Sequence, residues 1–143
     1  MSDTRTSGSS IIPTFRYKDA HKGIEWLVQA FGFQKRAVFD GPNGTVAHAE
    51  LTLGNGMIML GSASNQGGSA NMALPEEIGG RQTMAPYLIV PDATAVHEQA
   101  KAAGAVIVME LQEMSYGGKA FACTDPEGFH WSFGEYDPWN TVV

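Results

Sequence analysis

The sequence predicts an α+β fold: two βαβββ modules whose strands curl into a half-open, eight-stranded cup, with the helices on its convex face. Three observations predict it. Landmarks recur at a fixed offset, Pro13, Asp19, Met59 and Gly61 reappearing 73 residues later as Pro86, Asp92, Ser132 and Gly134. Each copy opens on a short apolar run, then an Asp and a helix-period stretch stopped by a glycine, Gly32 in the first and Gly104 in the second. Three runs of strand character, separated by turn residues, follow each helix.

In the first copy, Ile11 to Tyr17 reads as a strand, and Asp19 is placed to cap a helix over Ala20 to Phe31 whose apolar face is Ile24, Leu27, Val28 and Phe31. Phe33 to Phe39 is the second strand, and Gly41-Pro42-Asn43-Gly44 is a turn. Val46 to Leu53 alternates, with Ala47, Ala49, Leu51 and Leu53 on one face and His48, Glu50 and Thr52 on the other. Gly54-Asn55-Gly56 then turns the chain into Met57 to Leu60. In the second copy, Pro86 to Pro91 is the opening strand, and Asp92 caps a helix through Ala103. Val106 to Leu111, Lys119 to Thr124 and Phe129 to Phe133 are the remaining strands, with Asp125-Pro126-Glu127-Gly128 as the turn before the last. The predicted organisation is a tail at 1–10, modules at 11–61 and 84–136, a Ser/Asn/Gly/Gln-rich connection at 62–83 and a tail at 137–143, all within one structural domain.

Composition narrows the function classes. A 143-residue chain is long enough for its own core. Cys123 is the only cysteine, so no intrachain disulfide forms, and it reads as a small apolar filler. The N-terminus lacks an apolar leader, and no apolar run approaches membrane-spanning length, so a cytoplasmic protein is expected. Nine Lys and Arg against fifteen Asp and Glu give a net charge of −6; the cations are dispersed, which argues against nucleic acid as a partner.

The "AFGF" helix end, the "HAELTLGNGMIML" hairpin and the "TDPEGFHWSFG" segment together resemble the vicinal oxygen chelate superfamily of glyoxalase I, extradiol dioxygenases, fosfomycin-resistance and bleomycin-resistance proteins. "PYLIV" and "DPEGFHWSFGEYDPW" are similar to its bleomycin-resistance-like and PhnB-like branch. The likeness runs from about Ile11 to Tyr136. It implies a homodimer, with a cup formed within one chain or between two. It also implies, for metal-dependent members, a His, Gln or Glu from the first strand of each module and a Glu from the last strand. Laid on this sequence, those positions fall on Pro13 and Pro86, and on Met59 and Ser132. None is a competent ligand for a hard or borderline divalent ion, so neither metal nor cofactor is expected.

Strand parity nominates other groups for the cup. His48 and Glu50, two residues apart, share a strand face, where a carboxylate orients an imidazole; the pair reads either as a ligand-binding or acid–base group or as a solvated strand face. His130 and Ser132 share another. Phe15 and Tyr17 are expected beside Pro13, Met57 beside Met59, and Phe121 on the face of Lys119, as apolar lining or as ordinary core. Trp131 and Phe133 fall on the helix side, and His21 and His97 on solvated helix faces. The reading is a metal-independent binding protein for a small apolar or aromatic molecule, lined by Phe15, Tyr17, His48, Glu50, Met57, Met59, Phe121, His130 and Ser132. The alternative is a glyoxalase- or dioxygenase-type enzyme, an isomerase or lyase, with a displaced metal site or with His48 and Glu50 as acid and base.

Overall fold

Each half of the chain folds in the order strand, helix and three strands because the same signals recur in each. In the computed structural model, which describes residues 8–64 and 70–140, the first copy forms β1 (Thr14–Tyr17), α1 (Ala20–Phe31), β2 (Gln34–Asp40), β3 (Val46–Leu53) and β4 (Gly56–Ser62). The second forms β5 (Tyr87–Ile89), α2 (Ala93–Ala102), β6 (Val106–Glu113), β7 (Lys119–Thr124) and β8 (His130–Gly134). The expected tails and connection fall partly on 1–7, 65–69 and 141–143, which lie outside the described residues. Within the connection, Pro75–Ile78 forms a 3-10 turn.

The strands make two four-stranded mixed sheets, ordered β1-β4-β3-β2 and β5-β8-β7-β6, with the first pair of each parallel and the rest antiparallel. The offset of 73 holds at the level of register. Thr14, Phe15 and Arg16 pair with Met59, Leu60 and Gly61, while Tyr87, Leu88 and Ile89 pair with Ser132, Phe133 and Gly134. Edge strands are bulged at matching places, around Arg36 in β2 and Val108 in β6.

By its contacts the chain divides into two compact units, one of Met1–Val28 with Gly32–Leu74 and the other of Gln29–Phe31 with Pro75–Val143. In the first, Asp19 caps α1 by accepting from the Lys22 amide at 3.2 Å, and Gly32 ends it in the left-handed conformation with its N–H on the Val28 carbonyl. Phe15, Tyr17, Ala49, Leu51, Ile58 and Leu60 share one sheet face and are all buried. Tyr17 lies directly beneath Gly23 of α1.

In the second unit, Asp92 caps α2 through the Ala95 amide at 3.1 Å. Phe121, Cys123, Trp131 and Phe133 occupy one face of the sheet and are fully buried, with Phe121 stacked on Phe133 at 5.1 Å and Phe31 against Trp131 and Phe133 at 5.4 and 4.7 Å. The Asp-Pro-Glu-Gly turn is fixed by its own carboxylate. Buried Asp125 accepts from the Glu127 and Phe129 amides and from the Trp131 indole, each at 3.0 Å. His97 departs from the solvated position expected for it: it is 13% exposed, meets Phe121 edge-on at 5.1 Å, and its Nε2 stands 3.8 Å from Glu110. The edge-on contact with the fully buried Phe121 ring is what takes the imidazole out of solvent.

Candidate functional site

A sheet buried on one side against its own helix presents its other side for binding, so the site is built from the residues of opposite parity to the core. In the first sheet these are Thr14, His48, Glu50, Thr52, Met57 and Met59. Phe15 and Tyr17 are not among them. The Pro13 carbonyl accepts from the Met59 amide at 3.0 Å. In a parallel ladder such a bond joins a residue to the neighbour of its partner, which puts Met59 opposite Thr14 and turns Pro13, Phe15 and Tyr17 to the other side. The second sheet repeats the correction. Pro86 accepts from the Ser132 amide at 3.1 Å, Ser132 stands opposite Tyr87, and Phe121 lies in the core with Phe133.

His48, Glu50, Met57 and Met59 are all half-buried on the open face of the first sheet. His48 Nε2 lies 2.8 Å from Glu50 Oε2, and Arg36 Nη1 donates to Glu50 Oε1 at 2.6 Å. The hydrogen bond from His48, with those from Arg36 and its charge, holds the Glu50 carboxyl below its ordinary value despite partial burial. The pair is therefore a fixed carboxylate orienting an imidazole. Phe39, 58% exposed, stacks on the His48 ring at 6.0 Å and an interplanar angle of 28°. Neither Phe39 nor Arg36 is visible as a site residue in the sequence, because the β2 bulges shift the register that brings them to His48 and Glu50.

On the corresponding face of the second sheet stand Tyr87, Ile89, His130 and Ser132, with the small Ala120 and Ala122 between them. His130 Nε2 is 3.2 Å from Ser132 Oγ. Tyr87 donates its hydroxyl to the Tyr136 carbonyl at 2.7 Å, and Tyr116 meets Tyr136 edge-on at 4.9 Å. Sequence reasoning misses Tyr87 by placing Pro86 at the site. The offset of 73 makes Tyr87 the counterpart of Thr14 as it makes Pro86 the counterpart of Pro13, and only the strand register selects the former pair. Cys123 faces the core, where burial first and the Asp125 carboxylate second push its thiol up to about 12, so it is no nucleophile.

Metal-ligand chemistry fails on the residues present. With the register corrected, the first-strand and last-strand positions are Thr14 and Met59 in one module and Tyr87 and Ser132 in the other. Two aliphatic hydroxyls and a thioether are weak ligands for a hard divalent ion. The Tyr87 phenol is already committed as a donor, and burial, with neighbouring Tyr116, Tyr136 and Asp137, holds it protonated above its ordinary value. Among the described residues, no group of three or more His, Cys, Asp or Glu side chains is arranged to hold a metal ion, and no helix is long and apolar enough to cross a membrane.

Comparison with known proteins agrees with this architecture. An uncharacterized protein of Mycobacterium bovis is 29% identical over 126 residues, covering 88% of this chain and 82% of its own. The crystal structure of TioX from Micromonospora sp. ML1 superposes with a TM-score of 0.72 at 28% identity, over 91% of this chain and all of that one. The fosfomycin resistance protein FosX of Listeria monocytogenes, solved as a point mutant complexed with Mn(II), shares the fold at 15% identity, with a TM-score of 0.64 over 94% of each chain. The family model for the glyoxalase, bleomycin resistance protein and dioxygenase superfamily matches residues 12–133. With the doubled βαβββ register and a match that takes in both modules, the chain belongs to the Glyoxalase/Bleomycin resistance protein/Dioxygenase superfamily.

Proposed function

We propose that this chain is a metal-independent small-molecule binding protein that sequesters a largely apolar or aromatic ligand. One observation carries the reading: the open face of the first sheet combines Met57 and Met59 with an exposed Phe39 stacked on His48, while the superfamily's ligand positions hold weak or committed donors. Adaptable thioethers and an open aromatic face hold planar apolar molecules, and the His48–Glu50 pair supplies hydrogen bonds that fix orientation. A homodimer belongs to this reading, as family membership suggests.

Thermal unfolding against a panel of planar aromatic compounds tests it. The expected result is a raised midpoint for a subset of compounds, lost in Met59→Ala while the unliganded midpoint stays within a few degrees of wild type. A shift that survives both Met59→Ala and Phe39→Ala contradicts the assignment of this face.

A second reading rests on the 2.8 Å His48–Glu50 contact: an isomerase or lyase in which His48 accepts a proton and Glu50 stabilises the imidazolium. It faces a physical cost. Proton abstraction beside a carbonyl needs a group that stabilises the developing oxyanion, and Arg36, the donor that reaches this pair, is already bonded to Glu50.

A further inference from the structure

One ring nitrogen on the open face of the first sheet is used by nothing in the fold. An ionised carboxylate only accepts hydrogen bonds, so the His48 Nε2 that lies 2.8 Å from Glu50 Oε2 carries a proton in either charge state of the ring. In the neutral imidazole the lone pair is therefore on Nδ1. Arg36, donating to Glu50 Oε1 at 2.6 Å, already matches the single charge of that carboxylate, so a neutral His48 completes a balanced cluster. His48 Nδ1 has no hydrogen-bond partner among the described residues. It is nonetheless accessible, because the buried side-chain nitrogen or oxygen left without a partner among those residues is His97 Nε2.

The neighbouring ring is placed to match this acceptor. The Nδ1 lone pair lies in the plane of the imidazole, and that plane is 28° from the plane of Phe39. A donor that approaches Nδ1 along it brings its own aromatic ring roughly parallel to Phe39. With the two centroids 6.0 Å apart, His48 is offset on Phe39 and leaves part of that ring face uncovered, in a residue that is 58% exposed. Met59, opposite Glu50 on β4, adds a thioether to the same side of the sheet.

We propose that the site on the first module selects planar aromatic molecules carrying a phenolic hydroxyl, which donates to His48 Nδ1 while the ring stacks on Phe39. A phenol suits this acceptor better than an aliphatic alcohol or a ring N–H because its proton is more acidic. The chain of bonds from hydroxyl through imidazole to the Glu50 carboxylate then polarises each member in turn. The inference rests on the small-molecule reading above and names a ligand class for it.

2-Naphthol, 2-methoxynaphthalene and 2-naphthoate, titrated into the full chain at about pH 7.5 and followed by naphthyl fluorescence, test it. The ether keeps the ring and loses the donor, and the carboxylate offers only acceptors. Naphthol is expected to bind ~10-fold more tightly than the ether, the scale of one hydrogen bond to a polarised acceptor, and naphthoate no more tightly than the ether. His48→Phe, which keeps a ring and removes the acceptor, should bring the naphthol-to-ether affinity ratio to about one. Glu50→Gln, which frees the imidazole to carry its proton on Nδ1, should lower the same ratio several-fold and reads the contact should the first variant fail to fold. A wild-type ratio near one, a ratio unchanged in these variants, or naphthoate binding more tightly than naphthol overturns the hydroxyl contact with His48. If none of the three binds while other aromatic compounds raise the thermal midpoint, the phenol class falls and the small-molecule reading stands; if no aromatic compound acts, both fall.

Discussion

Asp125 shows how much of this fold hangs on single polar groups. Its carboxylate is buried and satisfies two turn amides and the Trp131 indole, so Asp125→Ala strands three donors and should cost about 3 kcal/mol. A shift of the urea midpoint at unchanged m-value measures it. Glu135 works differently, through charge. Hydrogen bonds from the Lys119 and Ala93 amides hold its folded pKa below the unfolded value, so it stabilises the fold at neutral pH. That contribution is lost as pH falls from the ordinary carboxylate range through the lower folded value. Glu135→Gln should therefore be less stable than wild type at pH 7, with the gap closing in acid; denaturant melts across that range check the sign.

At the scale of elements, the legible and the illegible parts of the sequence separate by mechanism. Both helices, their Asp19 and Asp92 caps and the glycine after α1 are readable because capping and helix period are local. The pocket parity is not. Whether Phe15 and Tyr17 or Thr14 face the site depends on how β1 aligns with β4, and a one-residue change of register exchanges the faces. For the same reason Phe121, expected in the cup, lies in the core, whereas His48, Glu50, Met57 and Met59 keep their expected face through a hairpin whose turn fixes the register. The β2 bulge that delivers Arg36 to Glu50 has no sequence signature. Close packing of α1 on its sheet gives a prediction against propensity. Gly23→Ala would ordinarily stabilise a helix by about 1 kcal/mol. Here the new Cβ would sit 2.9 Å from the Tyr17 ring, so the variant should lower the unfolding midpoint instead.

For the whole molecule, duplication explains both what the halves share and what they do not. The register of β1–β4 is repeated in β5–β8 residue for residue, with Thr14 and Met59 answered by Tyr87 and Ser132. Within that frame the exposed faces diverge. The first carries thioethers, a His–Glu–Arg network and Phe39; the second carries Tyr87, a His130–Ser132 contact and small alanines. Both keep hydroxyls or sulfur where metal-dependent relatives are expected to place imidazole and carboxylate, and the account stands on that difference. The most direct test is the metal content of protein purified without chelator, read together with thermal unfolding with and without Zn²⁺, Ni²⁺, Mn²⁺ and Fe²⁺. The account predicts substoichiometric metal and an unmoved midpoint. A tightly held divalent ion at about one per chain, lost when His48, Glu50 or His130 is replaced by Ala, would contradict it.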